Sequence, residues 1–97
     1  MPDPRGLREI ERADVVFSAL AHPARRQILL SVHYRGTCTA GEIAHRFDCS
    51  WPTTSRHLST LVQAGLLRVE RQGRERIYSA NAEELRALLR QWSDYFR

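Results

Sequence analysis

The middle third of this chain constrains its fold most, because it contains two short helical patterns separated by a tight turn. Thr39 and Glu42 form the T-x-x-E pattern of a capping box, which marks the start of a helix. Residues 48–50, Asp-Cys-Ser, are typical of a turn, and Ser50 is a good N-cap for a second helix. Gly65 is suited to end that second helix. Two capped helices at this spacing predict a helix-turn-helix unit.

Two further helices are predicted upstream of this unit. Between residues 7 and 20 apolar side chains recur at steps of three and four, which is the helical period. Pro23 favours the first position of a second helix, because the N–H that proline lacks would have no partner there. We expect this second helix to end at Gly36. Its inner stripe consists of Ile28, Leu29 and Val32.

A charged hairpin and a last helix are predicted downstream. The β-prone runs at residues 66–69 and 77–79 enclose a charged segment in which Gly73 can supply a positive φ angle, and this favours a hairpin. Asn81 and Glu84 repeat the N-cap and N3 pattern, so we expect the final helix to begin there with Asn81 as its cap.

The predicted order is therefore helix, helix, helix-turn-helix, wing and helix. This is a mainly α fold with a small β-hairpin, a winged helix-turn-helix. The chain has 97 residues, which suffices for one domain. We place that domain at residues 7–97 and interpret residues 1–6, with two prolines and one glycine, as a flexible N-terminal arm.

The charge of the chain permits a nucleic acid partner without requiring one. The formal net charge is +4, and all fifteen basic residues are arginine. Such a balance also suits an acidic protein or an anionic membrane surface. The sequence has no apolar run long enough to span a membrane and no apolar stretch of a signal peptide, so we expect a cytoplasmic protein without a membrane partner.

The second helix of the helix-turn-helix, residues 51–64, is the candidate recognition helix for double-stranded DNA. Its inner face is taken by Thr54, Leu58 and Leu61, and the remaining surface is rich in hydroxyls and free of carboxylates. Such side chains suit base edges and phosphates, although a solvated face is the alternative interpretation. The candidate DNA-binding residues are Trp51, Thr53, Ser55, Arg56, His57 and Thr60. Trp51 either meets a thymine methyl or packs against Phe47.

The hairpin tip is a second candidate DNA contact. Arg71, Arg74 and Arg76 lie within six residues and are partly offset by Glu70 and Glu75. Arginines on a wing can enter the minor groove, where the negative potential is enhanced. A solvated loop with internal ion pairs is the alternative.

The last helix carries more apolar surface than a small domain needs for its own core. We expect it to pair with a second copy of the chain, together with the first helix, because aromatic residues concentrate at such interfaces. An ordinary core helix is the alternative. The predicted interface consists of Leu85, Leu88, Leu89, Trp92, Tyr95 and Phe96.

Three segments of the sequence resemble the ArsR (arsenic repressor) family of winged helix-turn-helix regulators. Residues 17–29 (FSALAHPARRQIL) resemble its second helix, residues 50–61 (SWPTTSRHLSTL) its recognition helix, and residues 62–78 its wing. The resemblance spans residues 10–96. It implies a homodimeric repressor on a palindromic operator, and it implies that the recognition-helix residues 51, 53 and 55–57 face DNA. Trp51 departs from the glutamine common at its position.

The family's metal sites are not recognisable in this sequence. One family site uses a Cys-x-Cys pair before the turn, where this chain has Cys38 alone, and another uses His on the last helix, where residues 82–97 have none. We therefore predict no metal ligands and no cofactor. A Cys38–Cys49 disulfide is disfavoured, since a helix of about seven residues separates the two by roughly 10 Å.

Other functions remain as alternatives. The chain lacks a glycine-rich phosphate loop and a nucleophile elbow, so we do not expect an enzyme. A metal- or thiol-responsive repressor and a winged-helix protein-interaction module are the two remaining alternatives. The effector is not indicated by the sequence.

Overall fold

The computed structural model describes the backbone of residues 4–97 and the side chains from residue 8 onward. Its elements, in chain order, are α1 (Pro4–Leu20), α2 (Pro23–Arg35), β1 (Cys38–Thr39), α3 (Ala40–Arg46), α4 (Trp51–Gln63), β2 (Leu67–Gln72), β3 (Glu75–Ala80) and α5 (Ala82–Tyr95). This order confirms the predicted mainly α fold with a hairpin wing.

Helix α1 begins at Pro4, earlier than the predicted start at Leu7. A proline is well tolerated at the first helical position. Residues 4–6, which the sequence placed in the N-terminal arm, therefore have helical backbone, while residues 1–3 lie outside the described residues. The flexibility of that arm stays a prediction.

The joint between α1 and α2 is held by two arginines of α2. The Arg25 Nε donates to the carbonyl of Ala19 at 2.6 Å, and Nη1 of Arg26 donates to the carbonyl of Leu20 at 2.7 Å. These carbonyls belong to the last turn of α1, where no intrahelical N–H remains to reach them. The arginines therefore cap α1 from the start of the next helix. Helix α2 ends at Gly36 as predicted, with φ at +88°.

The helix-turn-helix forms with the predicted caps. The N–H of Glu42 donates to Oγ1 of Thr39 at 3.1 Å, and the N–H of Thr39 donates to Oε1 of Glu42 at 3.0 Å, which completes the capping box of α3. The hydroxyl of Ser50 accepts from the N–H of Thr53 at the start of α4. Gly65 follows the end of α4 with φ at +79°.

The sheet has three strands in the order β1-β3-β2, all antiparallel. Strands β2 and β3 form the predicted hairpin, which is longer than its apolar runs suggested and closes at the pair Gln72–Glu75. Gly73, with φ at +62°, provides the turn. Strand β1 was not predicted; it pairs Cys38 with Tyr78 and so ties the start of the helix-turn-helix to the wing.

The core lies between α1, α2, α4 and the base of the hairpin. The predicted inner stripe of α2 is buried, as are Leu58 and Leu61 of α4. Thr54 is also buried, and its hydroxyl donates to the carbonyl of Ser50 at 3.0 Å, which satisfies the polar group. Val16 and Leu66 are almost fully buried as well, and further buried residues of this core are Ala13, Ala19, Ile43, Leu67, Tyr78 and Leu88.

Asn81 occupies the N-cap position of α5, but the prediction that its side chain caps the helix is wrong. The Asn81 Nδ2 instead donates to the carbonyl of Gly65 at 3.0 Å, and its Oδ1 accepts from Arg68 at 3.0 Å. Its backbone N–H donates to the carbonyl of Leu66. The side chain thus fastens the start of α5 to Gly65 after α4, and it does not cap α5 because its acceptor atom, Oδ1, accepts from Arg68 instead.

Candidate nucleic-acid interface

Helix α4 presents a polar face to solvent. Trp51, Ser55 and Arg56 are exposed, and Thr53 and Thr60 are half-buried. Helix α4 contains no Asp or Glu. Among the described side chains, Arg56 makes no hydrogen bond or ion pair with another residue, so its guanidinium is available to a ligand. The sequence-predicted candidates other than His57 therefore lie on or beside one face without carboxylates.

The prediction that His57 points outward is wrong. Its side chain is buried, with 8% of the residue exposed. His57 lies three positions after Thr54 and four before Leu61, so the helical period places it on the same inward face. Its ring packs against the ring of His22, with centroids 4.8 Å apart. Applying the helical period to every residue of α4, and not only to its apolar residues, would have placed His57 on the inward face.

The environment of His57 disfavours its charged form. Burial lowers the pKa of His57 most, and the nearby positive groups His22, Arg25 and Arg56 lower it further. Nδ1 of His57 is a buried atom without a hydrogen-bond partner among the residues that the structure describes. His22 was not among the predicted site residues, and no motif in the sequence links it to α4.

The wing lies beside the start of α4. A cleft of about 250 Å³ separates them. Trp51 and Ser55 line one side, and Arg74, Glu75, Arg76 and Tyr78 line the other, so one carboxylate lies between the wing arginines. Arg71 is exposed on β2, opposite Arg76. In the described part of the chain no ion pair involves these three arginines. The fold therefore brings the wing arginines and the outer face of α4 to one surface.

Helix α5 leaves most of its predicted interface exposed. Leu88 is buried within the protomer and Leu85 is half-buried, so these two contribute chiefly to the protomer's own core. The residues with large exposed fractions are Leu89, Trp92, Tyr95 and Phe96.

The exposed aromatic residues of α5 form a cluster with α1. The ring of Trp92 meets Phe17 of α1 edge-on at 5.2 Å and stacks with Phe96 at 5.5 Å. Ile10, seven positions before Phe17 and therefore on the same side of α1, is exposed as well. The two helices together present an apolar surface.

The two cysteines do not belong to the surfaces of α4, the wing or α5 described above. Cys38 is buried in β1, where burial raises the pKa of its thiol. Cys49 is half-buried, and its Sγ donates to the carbonyl of Phe47 at 3.4 Å. Within the described residues no three His, Cys, Asp or Glu side chains are grouped so as to hold a metal ion. None of the described helices is long and apolar enough to cross a membrane.

Comparison with known proteins identifies similar chains. A family model described as a helix-turn-helix domain matches residues 20–70. The transcriptional repressor SdpR of Bacillus subtilis is 41% identical over 70 residues, which are 72% of this chain and 77% of that protein.

Two solved structures share the fold. An ArsR-like transcriptional regulator from Rhodococcus has a TM-score of 0.80 at 29% identity, covering 89% of this chain and 80% of that one. A homodimeric winged helix-turn-helix DNA-binding domain from Mycobacterium bovis, solved by NMR, has a TM-score of 0.78 at 26% identity. That comparison covers 97% of this chain and 89% of the other.

Proposed function

Because this chain belongs to the ArsR family of helix-turn-helix transcriptional regulators, we propose that it is a homodimeric repressor that binds a palindromic DNA operator. The observation that carries the proposal is the surface formed by α4 and the wing. It combines hydroxyls, three wing arginines and Arg56, which has no partner among the described side chains, and α4 contributes no carboxylate to repel phosphate. Proteins of this family are regulators of transcription and not enzymes.

Helix α4 is proposed to enter the major groove. Its N-terminal turns present Trp51, Thr53, Ser55 and Arg56 to base edges and neighbouring phosphates, with Thr60 further along. Arginine is suited to the O6 and N7 atoms of guanine, which makes Arg56 the proposed base-reading residue. His57 is withdrawn from this contact set because its ring packs inward. Arg71, Arg74 and Arg76 are proposed to contact phosphates or the minor groove.

The homodimer is proposed to form through α1 and α5. The supporting observation is the exposed aromatic cluster of α5, since aromatic anchors are enriched in the buried centres of protein interfaces. In a symmetric dimer the two α4 helices would lie about 34 Å apart, which is one turn of DNA. The interface residues proposed from the structure are Leu89, Trp92, Tyr95 and Phe96, with Leu85 at the edge.

We further propose that DNA binding does not require a metal ion. Residues 82–97 contain no His, and Cys38 has no second cysteine two positions away, so the chain lacks the two family ligand sets named above. The proposed function also implies that the protein acts in the cytoplasm, where chromosomal DNA is accessible.

DNA binding is tested by selecting duplexes from a random library with the purified protein, after treatment with a chelator. Fluorescence anisotropy on the selected and scrambled duplexes then gives affinity across a salt series. We expect a palindromic sequence, and an affinity that falls with salt because bound arginines release counterions. Absence of salt-dependent binding to any duplex would contradict the proposal and favour a protein-interaction module. Binding that appears only after a metal ion is added would contradict the metal-free part alone.

A further inference from the structure

A second cleft, the histidine cleft, opens between the start of α2 and the first turns of α4. Its volume is about 550 Å³. The residues that line it and carry the argument are His22, Arg25, Thr53, Arg56 and His57. Every one of these side chains is either basic or a hydroxyl, and no carboxylate lines the cleft.

The two histidines differ in exposure. His22 is exposed, whereas His57 is more than nine-tenths buried, lines the cleft, and has an Nδ1 without a partner among the described residues. Their rings lie 4.8 Å apart. A buried polar atom without a partner is uncommon in a folded protein and calls for an explanation.

The charges around the histidine pair are positive on both sides of the cleft. From α2, Arg25 is held in place by its bonds to the carbonyls of Ala19 and Ser18. From α4, Arg56 reaches the same cleft. On α1, Asp14 lines an adjoining cleft that Arg25 also lines.

The start of α2 adds a partial positive charge. His22 is the N-cap of this 13-residue helix and makes no capping hydrogen bond with its side chain. Pro23 has no N–H, and the N–H groups of Arg25 and Arg26 donate to the carbonyl of His22, so this charge comes from the helix dipole and not from a set of free N–H groups. The cleft thus combines the guanidinium groups of Arg25 and Arg56 with the imidazole of His57, whose Nδ1 has no partner among the described residues.

We infer that the histidine cleft binds one phosphodiester of the DNA backbone, and that this contact is coupled to the uptake of a proton by the His22–His57 pair. The inference rests on the proposed function, because the histidine cleft would add a phosphate contact to the DNA contacts proposed for the outer face of α4 and the wing. A backbone phosphate fits the chemistry, since phosphate accepts hydrogen bonds from imidazolium, guanidinium and hydroxyl groups.

The direction of the coupling follows from the charges. Without DNA, burial and the neighbouring cations keep the pKa of His57 low, so its ring is neutral near neutral pH. A phosphate in the cleft places a negative charge beside the pair and favours the protonated form. The DNA-bound protein therefore holds more protons than the free protein, and affinity for DNA rises as the pH falls.

The test measures operator affinity between pH 8 and pH 6 at constant ionic strength. For the wild type we expect binding to tighten about three- to tenfold over this range, since one proton contributes at most about tenfold per pH unit. His22→Gln should lose at least half of this dependence. His22 is exposed, so the substitution leaves the core intact. His33→Gln, on the exposed last turn of α2, is the matched control and should keep the full dependence.

NMR titration of the histidine Cε1 protons gives an independent readout. Addition of the operator duplex should raise the pKa of His57, whereas the signal of His33 should not respond to the duplex. Equal pH dependence in the wild type and His22→Gln, or unchanged histidine titrations, would overturn the inference while leaving the proposed function intact. A rise in the pKa of His57 on addition of inorganic phosphate, but not on addition of the duplex, would overturn the assignment to DNA. A wild type that binds no duplex at any pH would count against the proposed function itself.

Discussion

Helices α4 and α5 are both amphipathic, but they distribute their apolar residues in opposite ways. Helix α4 buries its apolar stripe within the protomer and turns a polar face without carboxylates to solvent. Helix α5 buries Leu88 alone and leaves an aromatic cluster exposed. An exposed polar face suits a polar ligand, whereas a contiguous apolar patch marks a surface for an apolar partner. The proposed DNA contact and the proposed self-association therefore use separate helices, and we expect that each can be disrupted without the other.

The largest expected effect is on the inner face of α4. Leu61 is completely buried, so Leu61→Ala should lower the free energy of unfolding by about 2–5 kcal/mol through lost burial and a residual cavity. Urea denaturation at fixed protein concentration measures the change. Leu30→Ala, on the exposed face of α2, is the matched control and should change it by less than about 0.5 kcal/mol. Similar losses for both variants would show that α4 does not anchor the core.

The second effect concerns the exposed face of α5. Phe96 is 74% exposed in the protomer, so Phe96→Asp should weaken the dimer by about 2 kcal/mol or more without unfolding the chain. Sedimentation equilibrium at micromolar concentrations measures the dissociation constant. Tyr34→Asp places the same charge on α2, where the residue is 81% exposed, and should leave association unchanged. A wild type that is monomeric at all these concentrations would refute the assignment of α5.

The third prediction distinguishes a residue of α4 that reads base edges from a wing residue that contacts the DNA backbone. Arg56→Ala should cost about 1–3 kcal/mol on the operator and less on scrambled DNA, if its guanidinium holds a guanine edge. Arg74→Ala, at the wing tip, should weaken both duplexes evenly and reduce the salt slope by about one. Fluorescence anisotropy across a salt series measures both. Equal losses on the two duplexes for Arg56→Ala would make it a phosphate contact.

The smallest expected effect is the pH dependence that His57 adds to stability. Because its pKa is lowered in the folded protein, the unfolded chain takes up a proton first as the pH falls through the ordinary histidine range. Stability should therefore be full above that range and decrease below it, until the folded-state pKa is reached. Urea denaturation at pH 7.5 and 5.5 measures the loss. The loss of stability should be smaller in His57→Gln than in the wild type, whereas His33→Gln should lose as much stability as the wild type.

The sequence predicted best those features that depend on near neighbours along the chain. The capping box of Thr39 and Glu42 and the N-cap Ser50 each act within three residues, so the starts of α3 and α4 could be predicted. The same holds for Gly36 and Gly65, whose positive φ angles end helices. The resemblance of three segments to the ArsR family then supported the predicted winged helix-turn-helix fold.

Features that depend on distant partners were missed or assigned wrongly. Strand β1 has two residues, too few for an alternating pattern, and it exists because β3 offers a free edge. Asn81 fits an N-cap by sequence, but its amide bonds to Gly65, sixteen residues earlier. His57 was placed outside because the sequence assigned the inner face of α4 to Thr54, Leu58 and Leu61. The ring of His22, which precedes α2, packs against the inward ring of His57.

The bonds of Asn81 bear on how two DNA half-sites would be spaced. This one amide joins the end of α4, strand β2 and the start of α5. If two copies of α5 pair about a two-fold axis, a small rotation at this junction occurs in both protomers, in opposite senses. The resulting displacement of each α4 helix grows with its distance from the axis. In such a dimer the geometry of this one side chain would help to set the separation of two grooves that it does not contact.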